Sequence, residues 1–388
     1  MLIQIHMLQN YSPANLNRDD TGAPKDVIFG GVRRGRISSQ CLKRSIRRST
    51  AFSEAFAKDD LLGIRTRKLP SLIKEELAKL KVSDAELQAI LVRIPEIGRE
   101  STKGIKKEEA TEETTEGVTA EKAEAHEIET QVKQLIFIGK NEVKPMAEKL
   151  LAIYRRLGEK GWKKTKISEI TKELGSSLPK SVDIAMFGRM TTSEAFENVD
   201  AAVQVAHAIS TNALNQEFDY FTAVDDLSDE PGAEMIGDIE FNSSTYYKYL
   251  NIHWEELVKN LGGDVVVAKK AVAALINAAA TSQPTGKQNT FAAFNLPDLV
   301  LVEVSDRNLP VSYTNAFIKP AKANAEYSLM GASIRQLADY MEKVVSKYSL
   351  TSDRAFLSIE ETNLHGAENK GSLDELIKWV EQKLPAAG

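Results

Sequence analysis

Between Val27 and Ser53 the chain carries Arg33, Arg34, Arg36, Lys43, Arg44, Arg47 and Arg48, and no acidic residue. Seven cations without interleaved carboxylates repel one another unless a polyanion or dispersed acids answer them. On a helix starting near Ser39, residues Gln40, Lys43, Arg44 and Arg47 recur at i, i+3, i+4 and i+7 and form one stripe, with Leu42, Ile46 and Ser49 opposite. One face can pack while the other offers guanidinium and ammonium groups. No glutamate occupies the capping-box position, so the first backbone amides and the hydroxyls of Ser38 and Ser39 are open to an anion. The alternative for any such run is a solvated basic face.

Three further groups could do chemistry. In Asn17-Arg18-Asp19-Asp20, neighbouring loop carboxylates could hold a divalent ion for phosphodiester cleavage, but an Asx-type turn paired with Arg18 or the basic helix is the favoured reading. The run Pro284-Thr285-Gly286-Lys287-Gln288 lacks the first glycine and the final Ser or Thr of a phosphate-binding loop, which leaves Lys287 a simple basic loop contact. His207 sits in an alanine-rich run that reads as helix, where it packs or caps. Neither a nucleophile elbow nor a dinucleotide fingerprint is present. No catalytic residue, metal ligand or cofactor is assigned.

The 388 residues carry a net charge of -5, and subtracting the seven cations leaves -12 on the rest, so the positive charge is concentrated. The single cysteine, Cys41, excludes an internal disulfide framework, and the five histidines show no close metal-ligand spacing. With neither a signal-like N-terminus nor an apolar run long enough for a bilayer, a cytoplasmic, membrane-free protein is expected.

The elements that must position these residues are legible in outline. Leu2 to Leu8 reads as a first strand of a central sheet, with Ile3, Ile5 and Met7 on one side. The segment from Tyr11 to Arg36 contains Pro13, Gly22, Pro24, Gly30 and Gly31 and reads as a long functional loop, followed by a helix from Ser39 to about Thr50. From about Leu61 to Lys180 helical spacing dominates, and within this insert residues 99–130 hold ten acidic and five basic residues with no aromatic, a mobile excursion. Beyond Ser181 the pattern is mixed: a helix over DAAVQVAHAIS, another from Asp264 to Ala280, and a strand from Leu299 to Val304. DYFTAVDDL and FNSSTYYKYLNI flank a turn-prone acidic stretch and read as a projecting hairpin.

Taken together, SPANLNRDDTGAPKDVIFGGVRRGRISSQCLKRSIRRS, DIAMFGRMTTS, VAHAISTN, DYFTAVDDL and KQNTFAAFN resemble the CasC family, the multi-copy backbone subunit of type I-E Cascade, and occur in that family's order. The resemblance implies an α+β fold: an RRM-like (ferredoxin-like) palm from residues 1–55 and 181–388, a helical fingers insert over 56–180, and a hairpin thumb over 212–248. Such copies stack along a CRISPR RNA beside other Cascade subunits, leave the guide bases to pair with target DNA, and recruit a separate nuclease-helicase for cleavage. The RNA-binding residues it implies are Ser38, Gln40, Lys43, Arg44 and Arg47 with Arg18 nearby, and the cations Arg33, Arg34, Arg36 and Lys287 join them. Tyr220, Phe221 and Thr222, with Met190 of the Gly188-Arg189-Met190 block, are implied to interrupt the base stack. Type III relatives cut RNA with a loop aspartate, which makes a metal-dependent ribonuclease built on Asp19 or Asp20 the alternative function. Val32 stands where some relatives carry a basic residue.

Overall fold

The computed structural model describes residues 1–97, 132, 135–175, 180–191, 195–222 and 236–386. The chain opens with β1 (Leu2–Ala14), β2 (Asp26–Phe29) and β3 (Val32–Ile37), then α1 (Ser39–Arg48) and α2 (Thr50–Phe56). Next come β4 (Gly63–Thr66), α3 (Leu69–Ala78), α4 (Asp84–Leu91), α5 (Ile94–Ile97), β5 (Ile136–Gly139), α6 (Lys140–Lys164), α7 (Ile167–Gly175) and α8 (Val182–Phe187). The remainder holds β6 (Val203–Val205), β7 (Ala208–Ser210), β8 (Glu217–Thr222), β9 (Ile236–His253), α9 (Trp254–Asn260), α10 (Val265–Thr281), α11 (Gln288–Phe291) and β10 (Leu299–Ser305). It closes with α12 (Leu329–Tyr348), β11 (Asp353–Ser358), β12 (Glu368–Asn369) and α13 (Leu373–Lys383). The residues divide into two compact units, 1–59 with 201–388, and 60–200. The charged segment at 99–130 and the hairpin tip at 223–235 lie outside the described residues.

In the first unit a mixed α+β arrangement is built on a ten-stranded sheet of order β12-β11-β10-β1-β9-β7-β3-β2, with β6 and β8 also pairing β9. β1 lies between β10 and β9, antiparallel to both, with Leu2 opposite Ser305 and His253. Every residue from Leu2 to Gln9 is buried, polar ones included, because both neighbours and both faces are covered. Alternation sends Leu8, Tyr247, Tyr249, Leu299 and Leu301 to a core with α12. On that face His6 meets the Tyr247 hydroxyl at 2.8 Å and Glu303 at 3.2 Å, while Arg354 also pairs Glu303. Burial alone would raise the Glu303 carboxyl, but His6 and Arg354 hold it down to about 2. The opposite face carries Lys248 and Leu250 towards Leu42 and Ile46 of α1 and Ala279 of α10.

Several elements differ from the sequence reading. β1 runs on to Ala14, with a register shift between Tyr11 and Ala14 where Pro13 has no amide to give the ladder. The expected loop after it is in part a hairpin, β2 and β3, turning on Gly30 and Gly31 at φ +60° and +77°. DAAVQVAHAIS is not a helix but strands β6 and β7: Val203 and Val205 are buried and Gln204 exposed, a period of two that outweighs the alanine content.

The second unit matches the helical spacing expected of it, and adds the pair β4 and β5 that the spacing did not announce. Ser83 and Glu86 form a reciprocal capping box at α4. Its core gathers Ile73, Leu77, Ile90, Leu150 and Trp162. Among the described residues no helix is long and apolar enough to cross a membrane.

Candidate nucleic-acid interface

α1 begins where Ser38 leaves the extended conformation, its Oγ accepting from the Cys41 amide at 3.3 Å. Asn17 Oδ1 accepts from the Ser38 amide at 2.8 Å, which ties the preceding loop to the helix start. That loop is itself fixed: Asp19 Oδ1 accepts from the Thr21 amide at 2.9 Å, the Thr21 hydroxyl at 2.8 Å and the Ala23 amide at 3.0 Å. This is the Asx turn that the sequence favoured, without, among the described residues, the ion pair to Arg18 expected as one option, and the Thr21 hydroxyl holds the exposed Asp19 carboxyl below its usual value. Asp20 stands beside it. Among the described residues no three His, Cys, Asp or Glu side chains gather closely enough to hold a metal ion.

Across from this loop runs the segment after α10. A Cβ on Gly286 would collide with the Leu16 carbonyl oxygen, so only glycine allows the two backbones to meet there. Between the Asx-turn loop, one face of α1 and residues 281–286 lies a cavity of about 980 Å³. Arg18, Arg44 and Arg48 line it with the hydroxyl residues Thr21, Ser38, Ser45, Ser49, Thr281, Ser282 and Thr285, and Gln40, Phe294 and the carboxylates Asp19 and Asp20 also face it. Arg18, Arg44 and Arg48 are exposed. Guanidinium forks among hydroxyl donors suit phosphate oxygens on a sugar-phosphate chain.

The face of α1 that lines the cavity is therefore Gln40, Arg44 and Arg48, one row away from the expected stripe. Leu42 and Ile46 are buried as expected, but Lys43 and Arg47 are half-buried and do not line the cavity, while Ser49, read as packing, does. Burial lowers the Lys43 ammonium. Arg48 belongs to the seven cations but not to the binding set expected from the sequence, and its i, i+4 relation to Arg44 was the signal available.

The hairpin cations have separate fates. Arg34 is completely buried: its guanidinium donates to the carbonyls of Ser210 and Thr211 at 2.9 Å, Phe317 at 2.6 Å and Ile318 at 3.2 Å. It holds the fold and, contrary to the expectation from the sequence, has no exposed group to offer RNA. Arg33 pairs with Asp26 and donates to Gln216 at 2.7 Å. Arg36 Nη1 lies 3.2 Å from His207 Nδ1, and burial, Arg36 and Lys25 lower that imidazole. Lys287 takes a left-handed backbone, φ +51°, and does not line the cavity.

Behind the cavity wall sits a polar group with no counterpart in the sequence reading. Lys248 of β9 is buried, its ammonium donating to Gln9 and, at 3.1 Å, to the Tyr11 hydroxyl. Tyr11 in turn donates to Gln283 Oε1 at 2.6 Å. No carboxylate pairs with Lys248 among the described residues, and desolvation brings it down to about 7.

The hairpin formed by β8 and β9 places Phe221 opposite Gly237, its ring filling the space above the glycine. Tyr220 points to the other face, and both are exposed, as is Thr222. In the second unit Met190 is 95% exposed, next to Arg189, whose buried guanidinium pairs with Glu142 at 2.7 Å.

A family model described as "CT1975-like protein" matches residues 3–379. One chain of a solved "CRISPR RNA-guided surveillance complex, pre-nicking" is similar at 30% identity and a TM-score of 0.75, over 99% of this chain and 100% of that one. A chain of a "CRISPR RNA-guided surveillance complex" is similar in fold at 24% identity and a TM-score of 0.60, over 99% of each chain. A search of curated proteins gave no match. The chain accordingly belongs to the CT1975-like protein family, the CasC-like family of CRISPR backbone subunits.

Proposed function

We propose that this chain is a non-catalytic backbone subunit that binds a CRISPR RNA through its sugar-phosphate chain, oligomerises along it, and leaves the bases free to pair with target DNA. The observation that carries this reading is the cavity in which Arg18, Arg44 and Arg48 stand among seven hydroxyl side chains. Such groups hold phosphates without reading sequence, so specificity belongs to the guide. The likeness at 30% identity to a chain of an RNA-guided surveillance complex supports it. In the type I-E assignment, the first unit is the palm, the second unit, residues 60–200 in place of the 56–180 expected from the sequence, is the fingers, and the β8–β9 hairpin is the thumb. Tyr220, Phe221, Thr222 and Met190 then interrupt the base stack, Arg33, Arg36 and Lys287 add outer contacts, and a separate nuclease-helicase cuts the DNA.

The test is RNA retention. Arg44→Glu with Arg48→Glu should leave the subunit folded, abolish co-purified RNA, and flatten the salt dependence of affinity by about 0.7 log units for each single-strand phosphate that is no longer neutralised. Unchanged affinity and salt slope would defeat the placement. Asp19 and Asp20 face the same cavity. Because no third ligand gathers with them among the described residues, guide-complementary RNA incubated with magnesium or manganese should nevertheless stay intact, and cleavage abolished by Asp20→Ala would establish the ribonuclease instead.

A further inference from the structure

The cavity has one wall that phosphate binding does not use. Phe294 lines it with a side chain 63% exposed, where a phenyl ring gains nothing from water. Its position is fixed from both sides. Upstream, Gln288 Nε2 donates to the carbonyls of Pro284 at 3.0 Å and Ala293 at 3.1 Å, and Ala292 takes a left-handed backbone at φ +48°. Downstream, Gln283 Nε2 donates to the Asn295 carbonyl at 2.7 Å, and Asn295 Oδ1 accepts from the Ser12 amide at 3.2 Å. An apolar ring held open on a braced loop loses little freedom when something flat covers it.

We propose that Phe294 is the stacking platform for one nucleobase of the RNA whose phosphates Arg44 and Arg48 hold. The inference rests on the RNA reading above and goes beyond it by assigning a base site to a cavity otherwise read as a backbone site. Arg18, Arg44 and Arg48 and the serine hydroxyls supply donors for the phosphate and sugar, and Phe294 supplies an apolar face within the same cavity. A phenyl ring has neither donor nor acceptor, so all four bases suit it and the site stays sequence-tolerant. At about 980 Å³ the cavity has the capacity for a nucleotide.

The full-length chain, its Phe294→Ala variant and its Phe294→Trp variant should be titrated against a short single-stranded RNA and against an abasic sugar-phosphate strand of equal length. Phe294→Ala should weaken binding of the base-bearing RNA about tenfold and leave the abasic strand unaffected. Phe294→Trp should restore affinity, with indole fluorescence quenched by the RNA and not by the abasic strand. Equal losses on both strands, or no loss on either, would overturn the stacking role. A change in oligomeric state without a change in RNA affinity would also overturn it, making the ring a contact between copies. If the parent chain binds neither strand, the RNA reading itself fails, a result distinct from all of these.

Discussion

Lys248→Met should make the protein more stable at pH 6 and progressively less advantaged as the pH rises. The ammonium is buried on the sheet face beneath α1 and α10 with two neutral oxygens as partners, Gln9 Oε1 and the Tyr11 hydroxyl. Its folded value of about 7 against an ordinary 10.5 means that the unfolded chain binds this proton more tightly. Below pH 7 both states are protonated, and burying the charge costs about 5 kcal/mol, from 1.36 kcal/mol per unit. Between 7 and 10.5 the folded state sheds the proton first, so parental stability rises with pH and the cost falls to about 2 kcal/mol at pH 9. Cys41 is the titratable group whose charge reaches Lys248, and burial pushes its thiol up. Methionine fills the same volume without charge, at a loss of about 1 kcal/mol for the hydrogen bonds removed. The stability gain of Lys248→Met over the parent, measured by urea denaturation, should therefore shrink by about 3 kcal/mol from pH 6 to pH 9. A difference that is independent of pH, or that grows with it, would refute the reasoning.

Arg34→Met should destabilise the first unit by about 3 kcal/mol or more, since it strands three buried carbonyls and a fourth, part-buried one at once; thermal denaturation would show it, and a neutral outcome would contradict the buried geometry. Gly286→Ala should cost about 2 kcal/mol and weaken RNA binding, because the new methyl collides with the Leu16 backbone and shifts one cavity wall; unchanged melting and affinity would count against that close approach. Phe221→Ala removes a ring that is 37% exposed over Gly237, so monomer stability should change by no more than about 1 kcal/mol while assembly on the guide is impaired; a loss of about 3 to 5 kcal/mol would mean that the ring is core.

The basic helix was legible because its information is local: a serine cap, two apolar residues four apart, and cations on the remaining positions. The choice between the Lys43/Arg47 row and the Arg44/Arg48 row was not. Both rows flank the side opposite Leu42 and Ile46, and what decides between them is where the Asx-turn loop and residues 281–286 lie. That placement depends on β1, β9 and the Leu16–Gly286 approach, which join residues more than 200 positions apart in sequence. Arg34 looked like its neighbours for a similar reason, since the carbonyls that consume it come from Ser210, Thr211, Phe317 and Ile318. The DAAVQVAHAIS segment misled by composition: alanine favours helix, yet the alternation of Val203, Gln204 and Val205 was already that of a strand. Long-range pairing chose between the two.

The position of β1 at the middle of the sheet sets a timetable for synthesis. Its partners, β9 and β10, are translated only after residues 236 and 299, so the apolar Leu2–Leu8 segment leaves the ribosome long before either exists. At about 5 to 20 residues per second the wait is roughly 10 to 50 s. During that interval residues 60–200, whose core closes on itself, can complete their own fold. The amino-terminal strand must be kept from pairing with another nascent chain until its two neighbours arrive, and a polysome making many copies of one subunit places those competing strands side by side.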